Sequence, residues 1–148
     1  METVLITEQD FDIDVEYSAL KTAGVGAVVI FSGIVRDSAD NPELRAMTLE
    51  HYPGMTEKEI TIITEQARAR WPLQGVRVIH RVGRLLPEEN IVFVGCASAH
   101  RSAAFESAAF IMDYLKTKAP FWKKEETATE ARWVDACEAD EAALTKWQ

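Results

Sequence analysis

Cysteine is nearly missing from this chain: Cys96 and Cys137 are the only two among 148 residues. They form no CxxC pair, and no Cys/His cluster has zinc spacing. That excludes a structural zinc centre or a dithiol redox motif, and fits a reduced, cytoplasmic protein without metal or cofactor. Basic residues are missing from the first sixteen positions, METVLITEQDFDIDVE, the opposite of a signal peptide. No apolar run approaches the ~20 residues of a membrane span. No Gly-rich phosphate loop and no nucleophile elbow occurs. Sixteen Lys and Arg against 24 Asp and Glu leave a net charge of −8. A nucleic-acid partner would want a broad basic face, so that class is disfavoured, while a single phosphate held in one pocket is not.

What basic charge there is lies concentrated. His100 to Lys124 holds Arg101, Lys116, Lys118, Lys123 and Lys124 against Glu106 and Asp113, a formal +3, so the other 123 residues carry −11. Hydrophobic content of 47% and charged content of 27% are ordinary for a globular protein. The length fits one domain spanning 1–148, with no repeat, low-complexity tract or linker.

Val25–Val35 is apolar and β-branched, which predicts a strand, with Gly33 marking a bulge or close backbone approach. A polar loop follows from Arg36 to Pro42, then a strand over Ala46–Tyr52. Thr56 with Glu59 predicts a capping box, with Met55 and Ile60 as its hydrophobic staple. Ile60, Ile63, Ala67 and Trp71 give the helix behind it an apolar face, and Pro72 stops it. Strands are expected over Val76–Val82 and Ile91–Ala97, with a turn at Pro87–Asn90. A second helix over Ala99–Lys118 presents Ala104, Phe105, Ala108, Ile111, Met112 and Leu115 as its stripe. Phe121–Lys124 reads as extended, Arg132–Val134 as a short strand, and the tail from Glu138 as helical. The order β-β-α-β-β-α-β predicts an α+β domain.

The second helix carries the candidate chemistry. His100 and Arg101 stand in its first turn, after an expected cap at Ser98. The helix dipole disfavours cations there unless an anion sits on the free N–H groups, where Arg101 would add a bidentate arm; the plain reading is two solvated side chains. Lys116 lies one turn beyond Met112, bordering the buried stripe, which makes it a candidate acid, base or nucleophile. A snorkelling lysine at a helix end is the simpler reading from spacing alone. Only one of Lys123 and Lys124 can share a strand face with Phe121, and period alone leaves the choice open. His80 shares a face with Val76, Val78 and Val82, where a satisfied core histidine is favoured over a ligand, while Arg77 and Arg81 are expected in solvent. His51 either functions or supports its turn. Cys96 behaves as a small hydrophobe, and Glu88 and Glu89 solubilise a turn.

These residues also carry a family resemblance. LEHYPGMTEKEI, RWPL, VIHRVG and SAHRSAAFESAAFIMDYLKTKAPFWKKE closely resemble the large, catalytic subunit family of molybdopterin synthase, in order and spacing from about Gly26 to Asp135. The resemblance implies an α/β hammerhead with an additional antiparallel β subdomain. It also implies a sulfurtransferase that converts cyclic pyranopterin monophosphate to molybdopterin by installing two sulfurs as a dithiolene. The sulfur donor would be the thiocarboxylated Gly-Gly tail of a small ubiquitin-like subunit, and the assembly a heterotetramer around a homodimer of this chain. By motif, Lys116 and Lys123 match the catalytic lysines, and Arg36, His100 and Arg101 match substrate-binding positions. Phe31 and Met112 match the pocket and partner-tail channel. Where the family often reads RWVEAR, this chain reads Arg132-Trp133-Val134-Asp135-Ala136-Cys137. Cys137 replaces an arginine that reaches the neighbouring subunit's pocket, so either Arg132 or another basic group substitutes, or the phosphate is held less tightly. The alternative reading is a non-catalytic module that only docks a ubiquitin-like tail; an unrelated enzyme for a small phosphorylated metabolite is remote.

Overall fold

The computed structural model describes residues 3–36, 43–128, 130–134 and 142–148. Among the described residues, two four-stranded sheets and the helices packed on them make it α+β, as expected. The first sheet has the order β1 (Val4–Thr7), β4 (Gly75–Arg81), β6 (Asn90–Ser98), β2 (Ala27–Ile34). β1 runs parallel to β4, and the other pairings are antiparallel. The second sheet is antiparallel throughout, in the order β5 (Gly83–Leu85), β3 (Ala46–His51), β7 (Phe121–Glu126), β8 (Ala131–Val134).

Helices cover both faces of the first sheet. α2 (Met55–Arg70) and α3 (Arg101–Lys118) bury Ile60, Ile63, Ala67, Ala108, Phe110, Ile111 and Leu115 against Val76, Val78, Val92, Val94 and Cys96. On the opposite face α1 (Ile13–Leu20) closes over Ile79, Phe93 and Ala97 through Leu20. A third cluster, Val35, Leu44, Met47, Leu49 and Leu85, forms around the second sheet.

β1 and α1 were not foreseen. α1 has only eight residues, but its cap was readable: the Asp12 side chain accepts from Val15 N–H, and Asp14 and Glu16 follow in the first turn. Arg77 and Arg81 are buried rather than solvated, at 9% and 7% exposure, Arg77 under α1 and Arg81 against the segments around Glu8 and Glu89–Asn90. Arg77 pairs with Glu16 at 3.0 Å. The Arg81 guanidinium donates to the carbonyls of Asn90 and Glu8, each at 3.0 Å, and Glu89 stands 3.7 Å away.

Three further expectations need correcting. The first long helix is capped at Gly54, whose N–H donates to the Glu57 carboxylate at 2.9 Å. Gly54 takes φ 86°, a conformation costly for any other residue. Thr56, in the first turn of the helix, is instead fully buried. Ser98 does not cap α3, because its hydroxyl donates to Pro72 O; His100 occupies the N-cap. In α3 it is Phe110 that enters the core, while Phe105 is 60% exposed.

The chain enters β2 through a close approach. Gly26 N–H donates to Ser98 O, and a Cβ at Gly26 would stand 2.3 Å from Ala99 O. Neither backbone can retreat without breaking this junction, so Gly26→Ala is expected to cost on the order of 1–3 kcal/mol, read as a lower midpoint in urea or thermal unfolding.

Candidate active site

Chain direction sorts the candidate residues into two groups. β6 runs from Asn90 to Ser98, and α3 then returns along the same sheet, so its last turns lie near the start of β6. β2 is antiparallel to β6, which places Phe31 opposite Val94, Ile34 opposite Asn90, and Arg36 just beyond that end. His80 pairs with Val92 in the same region. Arg36, His80 and Lys116 therefore gather at this end of the sheet, with Phe31 and Met112 nearer its middle. His100 and Arg101 stand at the other end of α3. The fifteen helical steps from Arg101 to Lys116 amount to about 22 Å along the helix axis, more than one pterin monophosphate spans. One copy of the chain does not bring the two groups together.

Phe31 lies on the α2 and α3 side of the edge strand β2, opposite Val94, with 40% of its surface exposed. Gly33 makes room for it: a Cβ there would meet Val92 Cγ1 at 2.7 Å and the Phe31 ring at 3.3 Å, and the ladder register shifts at Gly33/Ile34. Bulge and close approach thus coincide. Met112 packs partly buried against the main core, and Lys116, one turn on, is exposed.

The second sheet settles which of the adjacent lysines faces this region. Phe121 pairs with His51, Lys123 with Leu49 and Lys124 with Thr48. Directly opposed residues share a face, so Phe121, Lys123, His51 and the buried Leu49 lie on one side. Lys124 projects from the other, where its ammonium stands over the Trp133 ring at 5.6 Å. Phe121 in turn stacks on His80, with centroids 3.9 Å apart and planes 19° from parallel. That contact joins the two sheets on the side that carries Lys123.

His80 is the site-adjacent residue that period alone marked only as core. Burial pulls its imidazole down to about 4, partly offset by the hydrogen bond with Arg81 O and helped by the positive charge of Lys116 and by His51. The ring is therefore neutral near pH 7. Its Nδ1 is 2.8 Å from Arg81 O. A carbonyl only accepts, so Nδ1 carries the proton and Nε2 is bare. Cys96 is inert by comparison: buried in the core, with its thiol pushed up to about 11. Among the described residues no cluster of three or more His, Cys, Asp or Glu could hold a metal ion, and no helix is long and apolar enough to cross a membrane. Cys137 lies outside the described residues.

Comparison with known proteins bears on the whole chain. The family model described as MoaE protein matches residues 6–118. The molybdopterin synthase catalytic subunit of Pseudomonas aeruginosa is 53% identical over 147 residues, covering 98% of each chain. A solved structure of molybdopterin cofactor biosynthesis protein E from Burkholderia multivorans superposes with a TM-score of 0.84 at 50% identity, over 99% of this chain and 97% of that one. A chain from a complex of subunits 1 and 2 of molybdopterin-converting factor from Helicobacter pylori shares the fold, with a TM-score of 0.76 at 16% identity over 89% and 90%.

Proposed function

The chain belongs to the MoaE family and is the catalytic subunit of a molybdopterin synthase, and on that premise we propose that Lys116 and Lys123 are the catalytic pair of its sulfur-transfer site. The observation that carries this is the convergence on His80: Lys116, at the end of α3, lies near enough for its charge to act on that imidazole, and Phe121, on the same face of β7 as Lys123, stacks on it.

The substrate is a cyclic pyranopterin monophosphate, and the sulfur donor is the thiocarboxylated tail of a small ubiquitin-like subunit. Both are anions, and preorganised cations stabilise the charge that develops as sulfur attacks and the cyclic phosphate opens. Phe31 and Met112 offer an apolar channel for the Gly-Gly tail, which has no side chains of its own to clash. Arg36 stands at the lysine end for the substrate. The Helicobacter pylori neighbour, a two-subunit complex, supports a small partner subunit here.

His100 and Arg101 bind the phosphate end from the second copy of the chain, within a homodimer at the centre of a heterotetramer. About 22 Å of α3 separates them from Lys116 in one copy, so a shared site needs two. A donor that arrives on the partner's tail also explains why no cysteine pair is needed.

Incubating the chain with cyclic pyranopterin monophosphate and thiocarboxylated small subunit is expected to yield dithiolene, assayed by its fluorescent oxidation product. Partner binding without product would instead establish the docking-module reading.

A further inference from the structure

The corner between α3 and β7 joins the two lysines, and it is held from outside at two points. Phe121 N–H closes the turn on Ala119 O at 3.0 Å. The fully buried Thr56, in the first turn of α2, donates its hydroxyl to Pro120 O at 3.0 Å and accepts from Tyr52 N–H at 2.8 Å. From the other side, the His80 ring lies flat against Phe121. Arg81 O holds that ring through Nδ1, so it does not turn about its last side-chain bond. Lys116 precedes this corner by three residues, and Lys123 follows Phe121 by two on the same strand face.

We infer that Thr56 and His80 are positioning residues that clamp the Ala119–Phe121 corner and so set the reach of Lys116 and Lys123 toward each other. The inference rests on the proposed catalytic role of that pair. Two long, flexible side chains on separate elements meet one reacting centre productively only if their backbone anchors are fixed, and displacements of the order of 1 Å are costly in rate. Neither clamp needs charge. A threonine hydroxyl bridges two backbone groups, and an imidazole kept neutral adds no third cation beside the lysines while still pinning its own ring. An unbranched apolar residue could fill either space but fix neither.

The test uses the complex reconstituted with thiocarboxylated small subunit and reads kcat and KM for dithiolene formation. Thr56→Val and His80→Ala are each expected to lower kcat about tenfold while KM for the small subunit stays within about twofold. Thr56→Ser restores the bridging hydroxyl and should recover kcat to within about threefold of the parent, while His80→Phe restores the flat face without the hydrogen bond to Arg81 O and should recover it in part. Combining His80→Ala with Lys123→Ala should cost no more than Lys123→Ala alone, because the clamp acts through that lysine.

Unchanged kcat in Thr56→Val and His80→Ala, failure of both conservative variants to recover it, or losses that multiply with Lys123→Ala would each overturn the clamp. Lys116→Ala measured alongside separates the two levels. If it is inactive while the clamp variants are normal, only this inference falls. If it is fully active, the catalytic reading falls and takes the clamp with it.

Discussion

Dithiolene formation is expected to drop by about 10²–10³ when Lys116 is replaced by alanine, the range seen when one preorganised electrostatic donor is removed from an active site. The fold should be untouched. Lys116 is exposed on the last turns of α3, while the core contacts of that segment come from Ile111 and Leu115. Exposed substitutions away from buried partners usually change stability by less than about 0.5 kcal/mol, which would move the unfolding midpoint by roughly 1–2 °C at this chain length. Small-subunit affinity, measured by titration calorimetry, should also change little compared with the rate, since a large docking surface outweighs one ammonium group. Loss of rate with binding and melting preserved is the signature of a residue used in the transition state. A Lys116→Ala enzyme with full activity would remove this lysine from the mechanism.

Lys123 and Lys124 offer a sharper contrast, because they are adjacent and chemically identical. Lys123→Ala should lower kcat by about tenfold to a hundredfold, as expected for a second cation at the same developing charge. Lys124→Ala should stay within about twofold. Pairing with Leu49 turns Lys123 toward the Phe121–His80 side, and pairing with Thr48 turns Lys124 onto the outer face over Trp133. Losing that exposed cation–π contact costs about 0.5–1 kcal/mol at most, visible in a melt and not in the rate. Equal effects of the two substitutions on kcat would contradict the face assignment.

Much of this was legible beforehand, for identifiable reasons. The strands Val76–Val82 and Ile91–Ala97 announced themselves by β-branched composition, and the structure moves their bounds by about a residue. α2 and α3 showed through periodicity and proline stops. The misses share a cause. Alternation reports which residues share a face and not what covers it: the eight-residue helix α1 lies over Arg77, and the segments around Glu8 and Glu89–Asn90 close over Arg81. Phe105 and Phe110 are both aromatic positions on α3, and only contact with Trp71 and Tyr114 selects Phe110 for the interior. Thr56 has the right composition for a cap, yet a tertiary partner sixty-four residues away claims its hydroxyl.

By itself the sequence determined the local chemistry: which segments are helix or strand, where basic charge concentrates, and through long matched strings which family's reaction to expect. Those properties are written in neighbouring residues, since periodicity, capping and charge runs all act over a few positions. The tertiary structure alone decided what depends on distance through space. It put Lys123 rather than Lys124 on the side of His80, and it set His100 and Arg101 at the far end of the helix that carries Lys116. It also set Thr56 and His80 against the corner between the lysines. Each of these follows from strand register or chain direction, which join residues that no local pattern can relate.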